Sequence, residues 1–117
     1  MTHHLRFVAV AVLTALALCV PVQAQRPEND ALRVRAEVGD AEAQDDLGVM
    51  YATGEGVPQD HVLAHMWLNL GASRETGKAR EDAVKNRDLA ADQLTPDALN
   101  EAQRLARGWD AAHPREP

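Results

Sequence analysis

Small residues at helical spacing dominate the chain after Pro27, and they restrict it to closely packed helices. Aromatic residues make up only 3% of the 117 residues, so any core must be built mainly from Ala, Leu and Val. No stretch alternates apolar and polar residues with the β-branched side chains typical of a strand. The length allows one small domain at most. We therefore predict an all-α fold of about five antiparallel helices.

Residues 1–24 have the pattern of a secretory signal peptide. Arg6 gives a positive start, residues 7–20 form an apolar run, and Ala24 offers a small residue for cleavage before Gln25. The run is too short to span a bilayer comfortably. The sequence therefore predicts a periplasmic or secreted protein with no stable membrane insertion after cleavage.

Two alternatives to cleavage remain open from the sequence. The signal could be retained as a membrane anchor, or Cys19 could carry a lipid. Lipid-attached cysteines normally follow a small residue, and Leu18 is bulky. Cleavage removes Cys19, which leaves a mature chain without any cysteine, as is compatible with an oxidising compartment.

Caps and turn residues divide the mature chain into five segments. Gly39 and Gly54 are placed to end helices, because glycine accepts the left-handed capping conformation at little cost. Asp40 and Thr95 are placed to cap helix starts. Asp60 is expected to open the third helix, where its negative charge complements the helix dipole. The predicted helices cover residues 29–38, 41–53, 60–72, 76–93 and 96–109. A domain over 25–110 is followed by a disordered tail over 111–117.

Apolar residues recur along each predicted helix with the spacing of one face. Gly48 lies beside such a face, and a glycine inside a helix costs about 1 kcal/mol relative to alanine. We expect it to allow close approach of a neighbouring helix. Val57 is expected to anchor the loop before Asp60. The predicted stripes of the second to fifth helices are, in order, Ala43, Leu47, Met50 and Tyr51; Val62, Leu63, Met66, Trp67 and Leu70; Ala79, Ala83, Ala90 and Leu94; and Leu99, Ala102, Ala106 and Trp109.

Residues 39–72 combine small, glycine and aromatic positions in a specific order. They are Ala43, Leu47-Gly48, Tyr51, Gly54, Gly56-Val57, Asp60, Ala64, Trp67 and Ala72. This pattern resembles the Sel-one-like repeat, a helix–turn–helix unit related to the tetratricopeptide repeat. The resemblance implies an antiparallel α/α pair. The chain holds one recognisable copy, so we expect the flanking helices to cover its apolar faces.

The resemblance also implies a function. Members of this repeat family commonly hold or scaffold other proteins, so we predict a non-catalytic protein–protein interaction module in the cell envelope. The partner is then another protein, and the oligomeric state stays open. With 12 basic and 18 acidic residues the net charge is −6, which argues against binding to nucleic acid.

A small metal-binding protein or metal-dependent enzyme is the alternative function. His61 and His65 are separated by four residues on one predicted helix, a spacing that can present two imidazoles to one metal ion. A third ligand is needed, and sequence alone does not place candidates such as His113. Because two ligands are an incomplete site, we predict a surface histidine pair without metal. The neighbouring apolar stripe runs through Trp67, which leaves open that at least one of the two histidines borders the core.

Other candidates for chemistry have simpler interpretations. The acidic residues Asp40, Glu42, Asp45 and Asp46 are expected to be solvated at a helix start, where they stabilise the helix dipole. Trp67 and Trp109 are expected to pack in the core rather than anchor an interface. Hydroxyls fall at predicted helix ends or turns, namely Thr53, Ser73, Thr76 and Thr95. We therefore predict no catalytic, cofactor or metal residues.

The processing of the chain is directly testable. The exported protein should begin at or near Gln25, because the short apolar run ends at a small residue. Intact-mass measurement and N-terminal sequencing of exported material will check this. A full-length product, or a lipid on Cys19, would contradict it.

Overall fold

The computed structural model describes residues 27–117, and this part of the chain consists of helices and connecting turns. The elements in chain order are α1 (Pro27–Glu37), α2 (Ala41–Thr53), α3 (His61–Arg74), α4 (Gly77–Ala91) and α5 (Pro96–Ala112). The predicted all-α class with five helices is confirmed for these residues. The predicted signal peptide and the processing site at Gln25 lie outside the described residues.

Side chains cap three helix starts, as expected at Asp40 and Thr95, whereas Asp60 precedes its helix as a cap instead of being its first residue. Asp40 accepts a hydrogen bond from the Ala43 amide at 3.0 Å, and Asp60 accepts one from the Leu63 amide at 3.0 Å. Thr95 caps α5 in the same way, with Pro96 in its first turn. Each cap satisfies a backbone donor that the first turn of a helix leaves free.

The loop between α2 and α3 is fixed at both ends. Gly54 adopts a left-handed conformation, with φ of 76°, and its amide donates to the Met50 carbonyl. Val57 is 7% exposed, as expected of the loop's apolar anchor. Asn29 of α1 donates to the Gly56 carbonyl at 3.0 Å, which ties the first helix to this loop.

Helix α3 is the centre of the packing and contacts α2, α4 and α5, whereas α1 packs on α2. A Cβ built on Gly48 would lie 2.6 Å from Leu68 Cγ, so the expected close approach at Gly48 is confirmed. A second close approach brings Asp45 against Gly71. Because residue numbers rise along α2 as they fall along α3, the two helices are antiparallel.

The core joins the repeat segment to the helices on either side of it. Trp67 is 5% exposed, and its ring meets Trp109 edge to face with centroids 6.1 Å apart. Gln44 is fully buried and donates to the Ala36 carbonyl at 3.1 Å. Alanine is the most frequent buried apolar residue among residues 27–117. The main cluster comprises Ala36, Ala43, Leu47, Met66, Trp67, Leu70, Ala106 and Trp109.

Helix α5 continues three residues beyond its predicted end at residue 109. Arg74 of α3 forms an ion pair with Asp110 at 2.9 Å, and its guanidinium lies 4.8 Å from the centroid of the Trp109 ring. The His113 ring stacks on Trp109 at 4.0 Å. The contacts of Arg74 come from another helix and hold the last turn of α5, so local sequence carried no signal for them.

The apolar stripe of α4 is narrower than predicted. Ala83 and Ala90 are buried, Leu94 is half-buried, and Ala79 is exposed. Ala79 lies near the start of α4, outside the buried part of its contact with α3. The helix is therefore held mainly by its second half.

Removing the Trp67 ring should destabilise the fold strongly. Truncation of a buried tryptophan to alanine costs about 3–5 kcal/mol, a large share of the about 5–15 kcal/mol that a small domain has. In thermal melts, Trp67→Ala should lower Tm far more than Leu89→Ala does, because Leu89 is 57% exposed. Equal melting of the two variants would place the Trp67 ring outside the core.

Candidate functional site

A groove runs between α2 and α4, with α3 as its floor. Both helices pack on α3 but barely touch each other, so the space between them stays open. Its volume is about 410 Å³. We call it the α2–α4 groove, and its lining comprises Val49, Ala52, Thr53, Gln59, His61, Leu68, Asn86, Leu89, Ala90 and Gln93.

The floor of the groove is apolar and its walls expose apolar side chains to solvent. Leu68 is fully buried and Ala90 is 3% exposed. On the walls, Val49 is 39% exposed and Leu89 is 57% exposed. Exposed apolar side chains facing one another across a groove are a typical feature of an interaction surface.

The rim of the groove is polar and, within residues 27–117, includes His61 but neither lysine, arginine nor carboxylate. Gln59, Asn86 and Gln93 bring carboxamides, which can both donate and accept hydrogen bonds. The Gln59 amide donates to the Ala52 carbonyl at 2.9 Å. Thr53 donates its hydroxyl to the Val49 carbonyl at 3.0 Å, as a helix-end hydroxyl is expected to do. This lining suits contact with neutral peptide groups better than contact with a charged ligand.

The two histidines of α3 line different cavities. His61 lies in the α2–α4 groove, whereas His65 lies in a second cavity between α3, α4 and α5. The predicted surface position is therefore wrong for His65, which is only 5% exposed and follows the alternative that one histidine borders the core. Burial is the main cause that lowers the pKa of His65. The positive charge of Arg87 lowers this pKa further, and the negative charge of Asp88 raises it.

The structure also places the third histidine away from this pair. His113 stacks on Trp109, and its Nδ1 lies 2.8 Å from the Trp109 carbonyl oxygen. Among residues 27–117, no group of three or more His, Cys, Asp or Glu side chains is arranged to hold a metal ion. No geometry within the described residues therefore favours the metal-dependent alternative.

The acidic cluster at the start of α2 divides into two environments. Hydrogen bonds from the Ala43 backbone amide and, to a smaller extent, from the Arg35 side chain hold the pKa of Asp40 below its usual value. Burial raises the pKa of Asp45 to about 7, and the charges of Glu75 and Asp46 add to this effect. The expectation of a uniformly solvated cluster is therefore wrong for Asp45.

Close helix packing explains the state of Asp45. Its Oδ1 atom is buried without a hydrogen-bond partner among the described residues and lies against Gly71 of α3. The oxygen loses water there and gains no donor, so the neutral acid is favoured. This contact could not be predicted from local sequence, because Asp45 belongs to the start of α2 and Gly71 to the end of α3.

The tryptophans and hydroxyls take the positions expected of them, with one exception. Trp67 and Trp109 both belong to the core cluster. Ser73 donates to the Leu70 carbonyl at 2.7 Å, within its own helix. Thr76 precedes α4 but makes no side-chain capping bond.

Val49 and Leu89 are the groove residues that sequence reasoning missed. Both lie off the predicted stripes of their helices, where a polar side chain would be the ordinary choice. An apolar residue at such a position was the only available signal. Their placement on facing walls depends on the rotation of α2 and α4 about their axes, which sequence spacing does not define.

Comparison with known proteins adds no assignment: no family model matches the chain, and neither characterised proteins nor solved structures give a significant match. A search for membrane-spanning helices among residues 27–117 finds none of sufficient length and apolar character.

Replacing Asp45 should make the stability of the fold less sensitive to pH. Its pKa is raised from 3.8 to about 7 on folding, so the folded chain keeps this proton where the unfolded chain releases it. The contribution of Asp45 to the free energy of unfolding therefore falls as pH rises from about 4 to about 7.

Asp45→Asn should consequently raise Tm at pH 8 and give little gain at pH 4. After discounting for partial exposure, we expect on the order of 1 kcal/mol, which corresponds to about 4–8 °C. Melting curves across this pH range will measure it. Asp92→Asn, at the exposed end of α4, is the control for the loss of one carboxylate. An equal gain in Tm for Asp45→Asn at pH 4 and pH 8 would contradict the raised pKa of Asp45.

Proposed function

We propose that this protein is a non-catalytic interaction module of the cell envelope that binds another protein through the α2–α4 groove. The observation that carries the proposal is the pair Val49 and Leu89, exposed on facing walls above the buried Leu68. Burying such side chains against a partner would remove apolar surface from water. The carboxamide rim would supply hydrogen bonds around that contact.

The organisation of the repeat segment supports the same proposal. Helices α2 and α3 form an antiparallel pair that closes on Gly48, as a Sel-one-like unit would. Membership of that family, export through the N-terminal segment and the absence of an activity of its own are parts of this proposal. The proposed partner is a polypeptide segment with apolar side chains, since the groove lining carries no lysine, arginine or carboxylate.

A charge placed in the groove should abolish binding. Leu89→Asp would put a carboxylate into an apolar contact, and burying an unpaired charge is strongly unfavourable. Val34→Asp is the matched control, because Val34 is 63% exposed on α1, away from the groove. Both variants change surface positions, so their thermal stability should stay within about 0.5 kcal/mol of the original chain.

The measurement is quantitative capture from envelope extract with the purified protein, read by mass spectrometry. We expect a partner that the original chain and Val34→Asp retain equally and that Leu89→Asp retains at least about tenfold less, a loss equivalent to about 1.4 kcal/mol. A partner retained by Leu89→Asp would exclude the groove. Equal loss with Val34→Asp would indicate non-specific adsorption.

A further inference from the structure

A second cavity lies on the other side of α4 from the α2–α4 groove, and the proposed function makes no use of it. It lies between α3, α4 and α5, is open to solvent on one side, and has a volume of about 310 Å³. In contrast to the groove, its lining holds several hydrogen-bond donors and a cation, Arg87, together with the carboxylate of Asp88. The residues that matter are His65, Asn69, Arg87, Asp88, Leu99 and Gln103.

Arg87 is held in place at the wall of this cavity. Its Nη1 donates to Asn69 Oδ1 at 3.2 Å, while Nε and Nη2 donate to Asp88 Oδ1 at 3.2 and 3.1 Å. A guanidinium has five N–H groups, so two remain unused in these bonds. The Arg87 side chain is 28% exposed and that of Asp88 is 64% exposed, so the cation lies deeper than its counter-ion.

The neighbouring side chains add further unused donors. The Asn69 carbonyl oxygen faces Arg87, which leaves its NH₂ group available, and Gln103 of α5 brings a second carboxamide to the cavity. His65 is 5% exposed, and its Nδ1 has no hydrogen-bond partner among the described residues. The His65 ring therefore belongs to the buried part of the cavity lining.

We propose that this cavity binds the carboxylate of a short-chain organic acid, with Arg87 as the principal ligand and His65, Asn69 and Gln103 around it. A guanidinium and a carboxylate are matched in charge and planar geometry, and their hydrogen bonds are among the stronger ones in proteins. The apolar wall at Leu99 would contact the hydrocarbon part. The volume of about 310 Å³ is sufficient for a ligand of a few carbon atoms.

Binding should be coupled to the protonation of His65. The charged groups that face it are Arg87 and Asp88, both from α4, and Gln103 from α5 is neutral. Arg87 disfavours a second positive charge on the imidazole, and a bound carboxylate would offset that effect. The acid should therefore raise the pKa of His65 and bind more tightly as the pH falls.

The test is titration of the purified protein with sodium butyrate at constant ionic strength, followed by NMR signals of the His65 ring and the Arg87 side chain. Butyramide is the neutral control of the same shape. We expect saturable shifts with a dissociation constant on the order of 1 mM for butyrate and at least tenfold weaker binding of butyramide. Equal shifts from both compounds, or no saturation, would overturn the proposal.

Variants separate the ligand role from folding. Arg87→Gln should weaken butyrate binding at least tenfold, whereas Arg104→Gln, which breaks an exposed pair with Glu101 on α5, should leave it unchanged. Should Arg87→Gln unfold the chain, Gln103→Glu provides the same test by placing a repelling charge at the cavity. Unchanged binding in Gln103→Glu would contradict the assignment.

The carboxylate could instead come from a polypeptide. An N-acetylated Gly-Gly-Ala peptide with a free carboxyl terminus distinguishes the two sources. If the peptide binds more weakly than butyrate, the result supports a short-chain organic acid as the ligand. If the peptide binds more tightly, the result overturns that proposal. Either result leaves the α2–α4 groove untouched, because that groove is tested with Leu89→Asp.

Discussion

The packing of Leu68 against Gly48 sets the distance between α2 and α3, and the other helices are arranged around that pair. A side chain at position 48 would occupy the space that Leu68 fills. Because Leu68 packs on Gly48, the neighbouring Trp67 lies on another side of α3 and contacts Trp109 of α5. The contact at Gly48 thus influences which residues of α3 face the other three helices. The fold then closes around a helix that has little freedom to rotate.

Helix α4 separates two surfaces of different chemistry. Ala90 lines the uncharged α2–α4 groove, and the adjacent Ala91 lines the cavity that contains Arg87. Likewise, His61 and His65 are one turn apart on α3 but reach opposite sides of this partition. Their spacing suggested a shared ligand, and the packing of α4 between them gives each a separate environment. The position of α4 therefore determines what both histidines can contact.

The local features of the fold could be predicted from the sequence because each depends on residues close along the chain. Asp40 and Thr95 cap their helices through bonds that span three residues. The lowered pKa of His65 and the raised pKa of Asp45 depend instead on other helices, because the charge of Arg87 acts on the first and Gly71 packs against the second. The groove was missed for the same reason. Spacing predicts which face of a helix is apolar, whereas the space left between two helices depends on how they rotate and cross.

The alanine-rich core changes which substitutions this protein can tolerate. In the described part of the chain, eight of the fifteen buried apolar residues are alanines: Ala36, Ala43, Ala64, Ala72, Ala83, Ala90, Ala102 and Ala106. Removing a methyl group from such a core creates little cavity, so truncation is a serious threat only at a few large side chains. Enlargement is the more general threat, because a single added methylene has to displace the backbone of a neighbouring helix. Drift in this sequence is therefore constrained chiefly by an upper limit on side-chain size.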